Sequence, residues 1–225
     1  MINLKTPYPY QELKRKKIDG KRLYENPWGE PVPSVTTILD KTKPQKARQA
    51  LNNWKKRVGE KQAQKITTEA ANVGTIMHGI LESWVKNEEY SGTKIIQAQL
   101  MADTVMKNVE PDLDEVWGSE VNLCYPNMYA GTTDLVGVYK GKPTIMDFKQ
   151  TNKPKKREWI DDYFMQGAAY ALAHNEMYET KIENIAIFMC SRDCNWQLFE
   201  VNESEFPEWE QRWTERLGQF YGVLG

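Results

Sequence analysis

The chain has little of what builds a metal cluster or a cross-linked scaffold. Its 225 residues include three cysteines and two histidines. Cys124, Cys190 and Cys194 are odd in number and show no paired spacing, which argues against a disulfide framework. Cys190 and Cys194 could supply half of a metal site. With one further cysteine and two histidines, a four-ligand zinc or iron–sulfur site is hard to complete. Buried or incidental thiols in a reducing compartment are the plainer account. The expected location is cytoplasmic, which means the host cytoplasm if a phage encodes the chain.

Long apolar runs are also missing. None approaches the roughly 18 residues that a membrane span needs, so no membrane association is expected. The opening MINLKTPYPYQELKRKK has no apolar centre, and a secretory leader or Arg- and Ser-rich transit segment is not expected there. Internal repeats and low-complexity tracts are absent. So is the Gly-x-x-x-x-Gly-Lys-Ser/Thr loop, which leaves out a motor of the P-loop type. An excess of one charge is lacking too, because 30 Lys and Arg face 31 Asp and Glu.

What is present is an ordinary globular composition with segregated charge. At 40% hydrophobic residues the chain can bury a core without cross-links. The expected organisation is a single domain, 1–225, with a hairpin and helices over 1–110 and a sheet with its last helix over 111–225. Residues 41–65 carry Glu60 as their only acid among many lysines and arginines, and 149–157 read KQTNKPKKR. The segment 200–215 is acidic and offsets both. Segregation of this kind can line a positive groove on a neutral protein, although a solvated helix face would explain 41–65 equally well.

The pattern predicts elements in the order helices, meander, helix, two strands, helix. An Asp19-Gly20 turn suggests an N-terminal hairpin, after which Pro27, Gly29, Pro31 and Pro33 should break regular structure. Ser34 can cap a short helix through Leu39. Further helices are predicted at 45–65, 68–87 and 93–109. In the second of these, Met77, Ile80, Leu81, Trp84 and Val85 form one apolar stripe with His78 at its edge. Strands are predicted at 117–125, 129–139 and 143–149, joined by Pro126-Asn127 and Lys140-Gly141-Lys142. A helix over 158–175, strands at 183–190 and 196–202, and an amphipathic helix opened by Pro207 complete the chain. The fold class expected is α/β, a mixed central sheet flanked by helices with an N-terminal helical extension or arch.

The chemistry concentrates in YAGTTDLVGVYKGKPTIMDFKQTNK. Asp147 and Lys149 are two residues apart in one strand and therefore share a face. The preceding hairpin can bring Asp134 beside them. Two carboxylates at close range repel, and a cation between them is the natural resolution. Hard oxygen ligands suit Mg²⁺ or Mn²⁺, which can acidify a water and neutralise a phosphate. A lysine beside them can stabilise the charge of a phosphoryl transition state. Asp-x-Lys in a strand is more often an exposed salt bridge. Here the neighbours Ile145, Met146 and Phe148 imply burial, where charges are costly unless paired or metal-bound.

Asp134 followed by Asp147-Phe148-Lys149 resembles the motif of the PD-(D/E)xK nuclease superfamily. Gly74-Thr75-Ile76-Met77-His78, Gly131-Thr132-Thr133-Asp134 and Gln166-Gly167-Ala168-Ala169-Tyr170 resemble the Gly-x-x-x-His, Gly-x-x-Asp and Gln-x-x-x-Tyr motifs of its RecB-like branch, in the same order. Pro33-Ser34-Val35-Thr36-Thr37-Ile38-Leu39 is similar to a segment of the mitochondrial genome maintenance and related phage exonucleases. The resemblance implies a restriction-endonuclease-like fold. It implies His78, Asp134, Asp147 and the Phe148 carbonyl as ligands of Mg²⁺ or Mn²⁺. It makes Lys149 the residue at the scissile phosphate, and gives Gln166 and Tyr170 the task of positioning DNA. Gln166 and Tyr170 are one helical turn apart and share a face. Glu82 and Glu120 are further acids that could assist, though a surface charge is the better reading of each. The cysteine set of the iron–sulfur members is missing, so a stand-alone nuclease without such a cluster is implied.

Within that family the implied activity is an exonuclease on single-stranded DNA with a free end. Trp54 and the basic helix around it suit a channel in which lysines track phosphates and aromatics stack on bases. Thr151, Lys153, Lys155, Lys156 and Arg157, at and past the strand end, form a second expected backbone track. The same residues would also serve a structure-specific endonuclease or, without catalysis, a DNA-binding protein. A two-carboxylate glycosidase leaves Lys149 and the basic tracts unexplained.

Overall fold

A computed structural model of the protein describes residues 1–18 and 21–222. The expected Asp19-Gly20 turn lies outside the described residues. Around it the chain forms a three-stranded antiparallel sheet: β1 (Arg15–Ile18), β2 (Lys21–Asn26) and β3 (Gly29–Pro33). Pro31 and Pro33 were expected to break regular structure and instead lie within β3. That strand is an edge, where a missing N–H deprives no neighbour of a partner.

Ser34 caps α1 (Val35–Lys41) by accepting the Thr37 N–H at 3.1 Å. The next helices differ from expectation in where they divide. α2 (Gln45–Val58) and α3 (Glu60–Val85) meet at Gly59, whose φ of +83° favours a residue without a Cβ. No break occurs between 65 and 68. Within the continuous helix Thr67 donates its hydroxyl to the Ala63 carbonyl at 2.8 Å. α4 (Ile96–Val109) follows, and Pro111 sits in a 3₁₀ turn just after it.

The main sheet runs β4 (Leu113–Tyr125), β5 (Tyr129–Tyr139), β6 (Lys142–Thr151), β7 (Asn184–Ser191) and β8 (Trp196–Val201), in that spatial order. All neighbours are antiparallel except β6 and β7. That parallel pair needs a crossover, and α5 (Asp161–Tyr178) supplies it. β4 starts earlier than its pattern predicts, because two register shifts near Glu115 and Gly118 obscure the alternation. α6 (Phe206–Tyr221), with Pro207 in its first turn, closes the described chain.

Alternation along β6 divides the core in two. Ile145 faces a cluster built with Ile38, Phe164, Ala168 and Trp213 from α1, α5 and α6. Met146 faces the opposite cluster, built with Met77, Leu81, Met101 and Val105 from α3 and α4. Both side chains are fully buried, each worth roughly 2 kcal/mol of transfer free energy. The outcome is a mixed sheet between two helical layers, as the pattern predicts. Among the described residues no helix is long and apolar enough to cross a membrane.

Candidate active site

The site forms where β5 and β6 part. Their last paired residues at this end are Leu135 and Met146. One step further the ladder would set Asp134 directly opposite Asp147, and like charges in that relation destabilise a pair. The ladder stops there. Phe148 instead donates its N–H to Asp134 Oδ2 at 2.7 Å. A strand residue turns its N–H and C=O to the same edge, so the Phe148 carbonyl also faces the gap. On its other edge β6 stays paired with β7 as far as Thr151 and Ser191, which keeps Asp147 and Lys149 on a rigid strand.

Four helical side chains close on this gap. From α3, His78 Nδ1 lies 3.5 Å from Asp134 Oδ1, and its ring meets Phe148 edge-on at 6.3 Å. A Cβ placed on Gly74, one turn earlier, would lie 3.8 Å from Gln150 Cβ, so α3 runs close over the end of β6. From α5, Tyr163 lies under the Lys149 ammonium, 4.9 Å from ring centre to Nζ. Gln166 donates to the Tyr170 hydroxyl at 3.1 Å. The Tyr170 ring lies against Gly131, where a Cβ would come within 2.6 Å of Cε1. The glycine of the Gly-x-x-Asp stretch is therefore a clearance for the tyrosine of the Gln-x-x-x-Tyr stretch.

Charge in the gap is shared unequally. Lys149 forms an ion pair with Asp147, which is 4% exposed. Burial pushes the Asp147 carboxyl up to about 6, opposed by Lys149 and reinforced by Asp134. Asp134 feels burial too, but His78, Lys149 and the Phe148 N–H hold it below the usual carboxylate range. Burial alone would lower His78 and Lys149, and the two aspartates outweigh it in both cases. One carboxylate of the pair is firmly ionised and the other is poised, as expected when two acids share a site.

A third acid joins the gap from the neighbouring strand. Ligand atoms of His78, Glu120 and Asp134 all lie within 4.8 Å of one another. Such a mixed imidazole and carboxylate donor set is chemically able to hold a divalent metal ion. Glu120 sits in β4 with φ of +52°, an uncommon backbone for a non-glycine residue and one that costs free energy to hold. Desolvation, then the charges of Asp134 and Glu82, push its carboxyl up to about 7. The sequence pattern offers Glu120 only as an assisting acid. A hairpin register that faces Asp134 was its one available signal, and its backbone conformation left none. Of the expected set, His78 and Asp134 come together while Asp147 turns to Lys149. Glu82 pairs with Lys86, the residue that caps the end of α3.

The expected DNA-contacting residues are placed less uniformly. Thr151 is buried and donates its hydroxyl to the Lys153 carbonyl at 2.9 Å, so it shapes the strand end rather than facing outward. Lys153 and Lys156 are exposed. Lys155 is anchored through its backbone, with its N–H donated to Gln197 at 2.7 Å. Arg157 is committed to Glu205 at 2.9 Å and to the Glu200 carbonyl at 2.8 Å. Trp54 is half-buried in a crevice between α2 and α3, beside Leu51, Ala63 and Thr67. Arg48, exposed, donates to the Lys43 carbonyl at 3.0 Å beside the end of α1. Tyr163 and the exposed Trp159 were not singled out by the sequence pattern; Trp159 is 62% exposed beside Lys156.

No family model matches the chain. It is similar to mitochondrial genome maintenance exonuclease 1 from Xenopus tropicalis, 27% identical over 172 residues. The proteins of that name from Mus musculus and Homo sapiens are also 27% identical, over 171 and 175 residues. The aligned part is 72% of this chain in each case, and the chain spans about half the length of these relatives. A solved structure from Eubacterium rectale, provisionally described as an exonuclease, superposes with a TM-score of 0.43 at 14% identity over 69% of either chain.

Proposed function

We propose that the chain is a divalent-metal-dependent nuclease of the RecB-like branch of the PD-(D/E)xK superfamily, acting as an exonuclease on single-stranded DNA. The observation that carries this reading is the meeting of His78, Asp134, Asp147 and Lys149 where β5 and β6 part. The exonuclease names of the three relatives support the same direction. A cytoplasmic location accords with three free thiols.

In this reading His78, Glu120 and Asp134, with Asp147 and the Phe148 carbonyl beside them, would hold Mg²⁺ or Mn²⁺. Such a cation, when bound, lowers the pKa of a water and neutralises charge at the phosphate. Lys149 presents its ammonium to the scissile phosphate, and the Tyr163 ring beneath it fixes its position. Asp147 pairs with Lys149 and so holds the ammonium in place at the site. Tyr170 and Gln166, locked to each other and against Gly131, orient the strand on the α5 side. Lys153, Lys155 and Lys156 then meet phosphates beyond the site without reading sequence.

Digestion of linear and circular single-stranded DNA with Mg²⁺ or Mn²⁺ tests the reading. Linear strands should be degraded and circles left intact. Cleavage of circles would remove the exonuclease assignment. A folded protein that cuts neither substrate with either ion would remove the nuclease assignment.

A further inference from the structure

Beyond Lys149, β6 and β7 run on side by side, with Gln150 level with Cys190 and Thr151 level with Ser191. Arg192 follows at once, in the turn that leads to β8. Its backbone is held from two sides. The N–H donates to the Thr151 carbonyl at 3.0 Å, and the carbonyl accepts from Gln97 Nε2 of α4 at 2.7 Å. Thr151 lies two residues past Lys149, about 7 Å along a strand. Arg192 is therefore fixed a short step beyond the residue assigned to the scissile phosphate.

The side chain is not satisfied in the same way. Nε and Nη2 of Arg192 are buried, and no acceptor among the described residues reaches either. Nη1 has Glu69 of α3 at 3.8 Å, too far for a hydrogen bond, and the Glu69 side chain is half exposed. Alternation along β6 puts Gln150 on this same α3 side, with Phe148, and its Nε2 is a third buried donor without an acceptor. Buried donors in folded proteins are nearly all paired, and each unpaired one costs free energy. The Arg192 side chain is 32% exposed, so a change of rotamer can carry the guanidinium outward while its backbone stays pinned. The guest that meets a guanidinium fork and an amide N–H is an anion with at least two acceptor oxygens. A cation would be repelled, and an apolar group would leave the donors bare.

We propose that Arg192, assisted by Gln150, binds a backbone phosphate of the single strand past the scissile one, on the α3 side of the β6 end. The proposal rests on the nuclease reading above. It gives the turn between β7 and β8 a substrate-binding role, and it accounts for an unpaired guanidinium held there. Lys153 and Lys156, exposed just past Thr151, lie along the same track.

The test sets affinity against stability. An arginine that serves the fold lowers stability when it is removed. An arginine kept for a ligand lowers affinity and leaves the free protein as stable as before, or more so. Arg192→Met keeps an unbranched stem and removes the unpaired donors. Binding of a single-stranded oligonucleotide is measured by fluorescence anisotropy in EDTA at several salt concentrations, and the urea midpoint of the free protein is measured alongside. Arg192→Met should bind about tenfold more weakly. Its slope of log affinity against log salt should be shallower by about 0.7, as for one lost phosphate contact on a single strand. Its urea midpoint should equal or exceed that of the wild-type protein. Gln150→Met, similar in size, should weaken binding without changing the slope or lowering the midpoint. Lys181→Met, an exposed lysine before the start of β7, should bind like the wild-type protein. A lower midpoint in Arg192→Met would overturn the proposal whatever its affinity, as would wild-type affinity and slope. An equal change of slope in Lys181→Met would overturn it too, because the loss would then be one of net charge. Failure of the wild-type protein to bind the oligonucleotide would instead overturn the nuclease reading beneath it.

Discussion

Asp134 Oδ2 accepts the Phe148 N–H at 2.7 Å, one step past the last backbone pair between β5 and β6. A side chain has taken the place of a ladder acceptor, and Oδ1 is left facing His78 at 3.5 Å. Asp134→Asn keeps an acceptor for Phe148 but removes the charge. We expect the fold to be retained, Mn²⁺ affinity to drop at least about tenfold, and cleavage to be lost. Asp134→Ala should also orphan the Phe148 N–H, at about 1–3 kcal/mol of stability. Calorimetric Mn²⁺ titration and urea denaturation separate the two effects. Unchanged Mn²⁺ binding in Asp134→Asn would place the cation elsewhere.

The Asp147–Lys149 pair is nearly dry, and that gives a second prediction. Removing one member of a buried pair strands the other charge, at a cost of about 3 kcal/mol or more. Lys149→Met should therefore destabilise the metal-free protein by that amount. Adding Asp147→Asn in the same chain should recover much of the loss, because no uncompensated charge remains. Both variants should be inactive, with DNA binding by Lys149→Met persisting at low salt. Equal stabilities of the single and double variants in urea would mean that water reaches the pair.

Glu120 sets stability against function. Its left-handed backbone suits glycine, and relieving it should stabilise the fold by about 1 kcal/mol. Glu120→Gly should raise the melting temperature while lowering Mn²⁺ affinity. Glu120→Gln should lower the affinity with little change in melting. A fall in melting temperature for Glu120→Gly would show that the backbone there is not strained.

The legibility of this molecule followed the reach of each signal. Strand alternation located β5, β6 and the turn between them, because period two persists over many residues in a buried sheet. The Asp147–Lys149 pairing follows from that period alone. His78 and the Gln166–Tyr170 pair join the site across long sequence separations, and only their motifs linked them to it beforehand. The break at Gly59 was missed because one left-handed residue leaves no periodic trace. Pro31 and Pro33 misled because an edge strand tolerates what a central strand does not.

His174 yields a prediction about pH that is independent of the active site. It is buried on α5 between Tyr10 and Thr180, with Tyr8, Trp117 and Tyr178 around its ring. Its protonation state follows from the network. Ile182 N–H and the Thr180 hydroxyl both donate to Asn175 Oδ1, at 2.7 and 2.8 Å. The Thr180 oxygen is thus free to accept the Nδ1–H of His174 at 2.8 Å, and Nε2 accepts from the Tyr10 hydroxyl at 2.9 Å. This neutral tautomer is satisfied at both nitrogens. Burial lowers the folded pKa to about 4, against about 6.5 for an open chain. Below pH 6.5 the unfolded chain takes up a proton that the folded chain refuses. The stabilisation is therefore complete above pH 6.5 and is lost as the pH falls toward 4, to a ceiling of roughly 3 kcal/mol. Urea denaturation of the wild-type protein and His174→Gln at pH 7.5, 5.5 and 4.5 measures it. The wild-type protein should lose more stability on acidification than the variant, over that window. Parallel losses in the two proteins would mean that His174 is already accessible to protons in the folded state.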